Sequence, residues 1–154
     1  GNPLEATRMP IRKKEDTMKW DRSFEIGIEA IDNQHKKIFE HLLAVENSMA
    51  KRDPWHILHF FLTQLEDYLK FHLAVEEALL EILRYPDREN HCRLHSRLVE
   101  QVAELKGQLK DKASGESLVG FFEDWFVHHV LNCDREYAAY VNREFPALSG
   151  AAST

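Results

Sequence analysis

At 154 residues the chain is long enough for one domain that buries roughly two-thirds of its unfolded surface unaided. A net charge of −6, with no basic run beyond residues 8–14, argues against nucleic acid as a partner. No apolar run nears the ~20 residues of a membrane span, and no signal-peptide pattern is read at the start. Cys92 and Cys133 make no disulfide framework and fit reduced thiols in a cytoplasmic protein; the compositional anomaly is nine histidines.

Residues 1–19 are polar and without a clear period, and are expected to be an extension outside the fold. Residues 20–146 hold the domain, and 147–154 form a short, small-residue tail. Residues 20–31, with Gly27 in the middle, read as a lead-in that packs over one end of the domain. Asp32 is placed to cap a first helix running to about Lys51, with the inward stripe Ile31, His35, Ile38, Leu42, Val45, Met49. Pro54 opens a second helix, from about Trp55 to Arg84, with Leu58, Leu62, Leu65, Leu69, His72, Glu76, Leu79 and Leu83 inward. Asp87 caps a third, reaching about Lys112 through His91, His95, Leu98, Val102, Leu105 and Leu109. Ala113-Ser114-Gly115 reads as the next break, and a fourth helix spans about Glu116 to Glu144. Four long amphipathic helices with short links predict an all-α, up-down-up-down four-helix bundle.

The fourth helix carries a misfit. Its first stripe is Leu118, Phe122, Trp125, His129; its second is Asp134, Tyr137, Val141. From His129 to Asp134 is five residues, so a regular helix sets them about 140° apart. Both stripes face one core only if an extra residue is absorbed, which predicts a π-type turn between them.

Polar residues interrupt every inward stripe: His35, His72 and Glu76, His91 and His95, His129 and Asp134. A single buried histidine is ordinarily satisfied by a neighbour. Five imidazoles converging with only two carboxylates cannot all be satisfied that way, yet all can give lone pairs to metal ions. Seven ligands exceed the four of a tetrahedral zinc. Two bridging carboxylates and five imidazoles supply nine bonds; two six-coordinate ions offer twelve positions. An oxide or hydroxide bridge takes two more and leaves one open. Mixed imidazole and carboxylate ligation at six-coordination suits iron. No glutamate has a histidine three residues later, the pattern of carboxylate-rich oxygen-activating di-iron bundles. Histidine-rich ligation favours the diferrous form and reversible O₂ binding. Trp125, Phe122, Phe126 and Leu79 are placed to keep the open position dry, and no general acid or base remains on the stripes.

Trp20, Ile26-Gly27-Ile28, Ile31-Asp32-x-Gln34-His35, His72-x-x-x-Glu76, His91-x-x-x-His95 and His129-x-x-x-x-Asp134 together resemble the bacterial hemerythrins. The resemblance runs from about Trp20 to Val141. It implies a non-haem di-iron centre with an oxo or hydroxo bridge and O₂ as ligand, and a binding protein rather than an enzyme. By position, His91, His95 and His129 would hold the six-coordinate iron. His35 and His72 would hold the iron that takes O₂, with Glu76 and Asp134 bridging. His128 departs from the usual pattern, as do the first 17 residues. The implied roles are carrier, store or sensor, with an oxygen-using enzyme or an attached signalling module as partner. Other readings of the same ligands are a redox-sensing domain and a dinuclear metalloenzyme, either a di-iron peroxidase or a hydrolase.

Several further residues are set aside. His56 and His59 are three apart with no carboxylate or cysteine beside them, and are read as surface groups. His41 is expected to be solvated. His128 and Glu77 are expected to point away from the site, and Cys92 and Cys133 to be small boundary residues. Tyr137, one turn beyond Asp134, is placed to hydrogen-bond near it.

Overall fold

The computed structural model describes residues 19–148, so the expectations for the extension up to residue 18 and for the tail beyond Leu148 fall outside the described residues. Within them the chain is helical with no strand: α1 (Glu29–Ala50), α2 (Trp55–Ile82), α3 (Arg88–Gly107), α4 (Lys112–His128) and α5 (Arg135–Glu144). A six-residue π turn, His129–Asp134, joins α4 and α5 into one rod. The expected irregularity is therefore there, between the two residues that required it. α1 packs on α2, α2 on α3, α3 on α4, and α4 back on α1, which closes the bundle into a ring. No helix among the described residues is long and apolar enough to cross a membrane.

The ends of the helices differ from expectation for identifiable reasons. α1 begins at Glu29, before Asp32, and Ile28 at its N-cap makes no side-chain bond. Asp32 turns back instead, accepting hydrogen bonds from the Ile26 N–H (2.8 Å) and the Gly27 N–H (3.1 Å). The lead-in doubles back over the first turn of α1, so its N–H groups lie nearer to this carboxylate than the helix's own. Gly27 makes that reversal at φ 92°, a region that side-chain-bearing residues rarely enter. Asp87 stands at the N-cap of α3 without a capping bond.

The break expected at Ala113-Ser114-Gly115 is instead the first turn of α4, and α3 ends earlier, at Gly107. Asp111 and Ser114 form a reciprocal capping box: the Ser114 N–H donates to Asp111 Oδ1 (2.9 Å) and the Asp111 N–H to Ser114 Oγ (3.0 Å). Gly115 lets this end of α4 approach α1, where a methyl group would stand 3.1 Å from Met49 Cε. α1 and α2 end in matching Schellman turns, with Asp53 N–H on Ser48 O and Tyr85 N–H on Leu80 O. The left-handed residue of each turn is an arginine, Arg52 or Arg84, at φ 55°.

Burial follows the stripes: Ile31, Ile38, Leu42 and Val45 on α1, Leu58, Leu62, Leu65 and Leu69 on α2, and Leu98 and Val102 on α3 are all buried. On α2 the core face is wider than the stripe, because Leu73 and Leu80 are buried while Leu79 is half-buried. Two apolar clusters result. The larger runs from Leu58 and Val45 up to Phe126 and Val130; the smaller holds Ile28, Ile31, Leu80, Leu83, Tyr137 and Val141. Between them lies a layer of polar side chains. Trp20 and Phe24 lie against Phe39 and Phe126, in the groove between α1 and α4 rather than across an end.

Candidate metal centre

All four rods contribute to the polar layer. α1 brings His35, α2 His72 and Glu76, α3 His91 and His95, and the π turn His129 and Asp134; none exposes more than 5% of its surface. The structure thus brings together all seven residues singled out from the sequence. By absorbing one extra residue, the π turn lets the last two share one face.

Glu76 Oε1 lies 2.6 Å from His91 Nε2 and 3.2 Å from His95 Nε2, while Oε2 lies 3.2 Å from His72 Nε2. Asp134 Oδ1 lies 3.0 Å from His129 Nε2 and 3.3 Å from His91 Nε2, while Oδ2 lies 3.3 Å from His35 Nε2. Each carboxylate therefore gives one oxygen to a group of three imidazoles (His91, His95, His129) and the other to a pair (His35, His72). All five imidazoles present Nε2.

The cluster does not satisfy itself by hydrogen bonds. His95 Nε2 and His129 Nε2 face one another at 3.2 Å, where at most one proton fits. The Gln34 carbonyl Oε1 accepts from His72 Nδ1 at 2.8 Å, which leaves His72 Nε2 as a lone pair facing a carboxylate oxygen. His35 Nδ1 is buried without a hydrogen-bond partner, and neither Asp134 Oδ1, 3.0 Å from His129 Nε2, nor His95 Nδ1, 3.4 Å from Glu77 Oε1, has one in hydrogen-bond geometry. Lone pairs aimed at lone pairs in a dry core are costly unless a cation lies between them. The donor set fits metal ions. Five of the side chains (Glu76, His91, His95, His129, Asp134) offer ligand atoms within 4.8 Å of one another, and His35, His72 and Glu76 form a second such group.

The electrostatics agree. Burial alone would raise Glu76, but the imidazoles of His72, His91 and His95 that face it hold it well below the usual carboxylate range. Burial and the Glu76 charge would raise Asp134, yet the imidazoles of His129, His35 and His91 around it hold it low. Burial would lower His91 and His129, but the carboxylates outweigh it and carry them up to about 9 and about 10. His72 goes the other way, because burial outweighs its bond to Glu76. Without an ion, His91 and His129 take the positive charge that the two carboxylates demand.

A second layer fixes the first. The Tyr137 hydroxyl donates to Glu76 Oε2 at 3.1 Å, as its position one turn past Asp134 led us to expect. Trp125 stacks on His129 with ring centroids 4.3 Å apart, and the Phe126 ring meets His35 edge-on at 5.5 Å. Two residues in this layer escaped the sequence reading of roles. Gln34 orients His72. Glu77 does not simply face away: its Oε1 comes 3.4 Å from the outer nitrogen of His95. Cys133 and Cys92 are half-buried, as read. For Glu77 the signal was available, since one residue beyond a ligand lies about 100° around the helix, on the side of α2 that meets α3. His56, His59 and His128 are exposed, as read; His41 is half-buried against Tyr68 rather than free in solvent.

A closed ring of helices around buried imidazoles and carboxylates defines a four-helix-bundle protein built to hold metal ions. The hemerythrin HHE cation binding domain matches residues 26–141, and the chain belongs to that family. It is 28% identical over 130 residues to a bacteriohemerythrin of Pseudomonas paraeruginosa, covering 84% of each chain. A bacteriohemerythrin of Stenotrophomonas maltophilia is 32% identical over 127 residues, 79% of this chain and 80% of that one. A hemerythrin-like protein of Naegleria gruberi is 26% identical over 118 residues, 77% and 88% of the two chains.

Proposed function

We propose that the protein is a non-haem di-iron protein that binds O₂ reversibly. The observation that carries this reading is the division of the carboxylate oxygens: Oε1 and Oδ1 go to three imidazoles, Oε2 and Oδ2 to two. That is the arrangement of two bridging carboxylates between a three-histidine and a two-histidine position. His91, His95 and His129 would hold one iron and His35 and His72 the other, with Glu76 and Asp134 facing both. The iron pair supplies the reversible electron transfer that O₂ binding needs. The chain's residues do the rest. Gln34 keeps the His72 proton on Nδ1 and so keeps Nε2 free as a ligand. Tyr137 holds Glu76 in its orientation from the smaller apolar cluster. Phe126 and Trp125 close the faces of His35 and His129 and exclude water.

This makes the protein a binder rather than an enzyme, one that carries, stores or senses O₂. The names of the bacteriohemerythrins to which it is similar support that class. The test is metal analysis with optical spectra recorded without oxygen, after oxygenation and after oxygen is removed again. About two irons per chain and an absorption that comes and goes with O₂ are expected. Zinc in place of iron, or an iron protein whose spectrum ignores oxygen, would overturn the proposal.

A further inference from the structure

Six large apolar side chains are substantially exposed among the described residues, and four of them lie on α2: Trp55 (43%), Phe60 (55%), Phe71 (54%) and Ile82 (76%). Phe60, Phe71 and Ile82 are eleven residues apart. Eleven residues make three turns and about 20°, so the three form a straight line on the outer face of α2, at intervals of about 16 Å. That face lies opposite the stripe that buries Leu65, Leu69, His72 and Glu76. Tyr68 packs beside Phe71 with ring centroids 5.7 Å apart, which widens the line at its centre.

The two halves of this line are unequal. Between Phe60 and Phe71 the outward positions are Gln64 and Asp67, with Tyr68 at the edge; between Phe71 and Ile82 they are Ala74 and Ala78. One half is bulky and the other shallow.

From this geometry we propose that the outer face of α2 is the interface of a homodimer, packed antiparallel on α2 of a second copy about a twofold axis at Phe71. In that register Phe71 meets Phe71 of the second copy, and Phe60 meets its Ile82. Gln64 and Tyr68 lie over its Ala78 and Ala74, bulky on shallow in both directions. A twofold interface must be self-complementary in this sense, and a parallel pairing would set alanine against alanine. The one carboxylate on the line, Asp67, comes about 7 Å along the axis from Lys70 of the second copy, within the span of a lysine side chain.

The area is adequate. The exposed parts of Phe60, Phe71 and Ile82 amount to about 300 Å² per copy, hence about 600 Å² in a pair. A standard interface of about 1,600 Å² contains roughly 900 Å² of apolar surface, and Tyr68, Ala74 and Ala78 add to the count. A lipid surface is the less favoured occupant, because the chain carries a net charge of −6 and the line is flanked by Glu81 as well as by Lys70.

Sedimentation of the metal-loaded protein at about 50 µM should give the dimer mass. Phe71→Glu should weaken association more than tenfold with iron content and helicity unchanged, whereas Leu43→Glu, at an exposed leucine of α1, should not weaken it. Phe71→Cys should form a disulfide across the axis under mild oxidation, in a background with Cys92 and Cys133 replaced by serine. A monomer at that concentration, including one that binds neutral or anionic phospholipid vesicles, would overturn the proposal. So would a dimer indifferent to Phe71→Glu. A dimer in which Phe71→Cys fails to cross-link would overturn the register. Iron content and oxygen response are read separately, so failure here leaves the O₂-binding proposal standing, and the reverse holds.

Discussion

Glu76→Ala removes, in one step, the carboxylate that faces both halves of the centre. Its Oε1 serves the three-histidine group, its Oε2 serves His72, and the Tyr137 hydroxyl rests on Oε2. Both metal positions lose a ligand, so iron should fall from about two per chain to below one, and the oxygen-dependent spectrum should vanish. The metal-free variant is penalised as well. Tyr137 is fully buried, and stranding its hydroxyl costs about 1–3 kcal/mol. Breaking a buried charge pair typically costs about 3–5 kcal/mol, here toward the lower end because Asp134 remains 3.3 Å from His91. We expect the metal-free variant to be about 3 kcal/mol less stable than metal-free wild type in urea unfolding. Glu76→Gln keeps the shape and one acceptor, so it should lose much less stability while still losing iron. Iron analysis, optical spectra and urea midpoints on the three proteins decide the matter. An alanine variant that retains two irons and an unaltered spectrum would refute the bridging assignment.

Gln34→Leu leaves all seven ligands but frees the His72 ring, and metal affinity measured by chelator competition should fall about 10- to 100-fold. His56→Ala and His59→Ala should leave iron content unchanged, because both residues are exposed; a halved count would show that they hold metal. Arg52→Gly and Arg84→Gly relieve a left-handed backbone at φ 55°, and each should raise stability by up to about 1 kcal/mol in thermal or urea unfolding. The metal-free protein should be most stable between about pH 4.5 and 6.5. His91 and His129 are raised from 6.5 to about 9 and about 10, so what they contribute is whole below pH 6.5 and is lost as pH climbs through those values. Glu76 and Asp134 are depressed, so their contribution is present above the ordinary carboxylate range and is lost as pH falls. Urea midpoints against pH, taken in chelator, test this window.

The bundle and its centre were legible because both are written in helical period. His72 and Glu76 are one turn apart, and so are His91 and His95; the five-residue step to Asp134 announced the π turn by its misfit alone. What escaped was set by how the chain bends between helices. Asp32 has the composition of a helix cap, but its partners depend on the lead-in folding back to bring the Ile26 and Gly27 N–H groups within reach. Ala113-Ser114-Gly115 has the composition of a linker, yet Ser114 completes a box with Asp111, and Gly115 is tolerated in a first turn pressed against Met49. The pairing of Gln34 with His72 spans 38 residues and two helices, and no local pattern carries such a contact.

The turn from His129 to Asp134 holds one residue more than a regular helix would need to bring both onto the core face. Removing any single residue from positions 130–133 would let α4 and α5 run on as one regular helix, with every backbone bond restored to ordinary spacing. Asp134 would then follow His129 by four residues, about 40° from a full turn, so Asp134 and Tyr137 would stay on the core face. The π turn is thus the means by which the rod carries one surplus amino acid without turning its last turns away from the core.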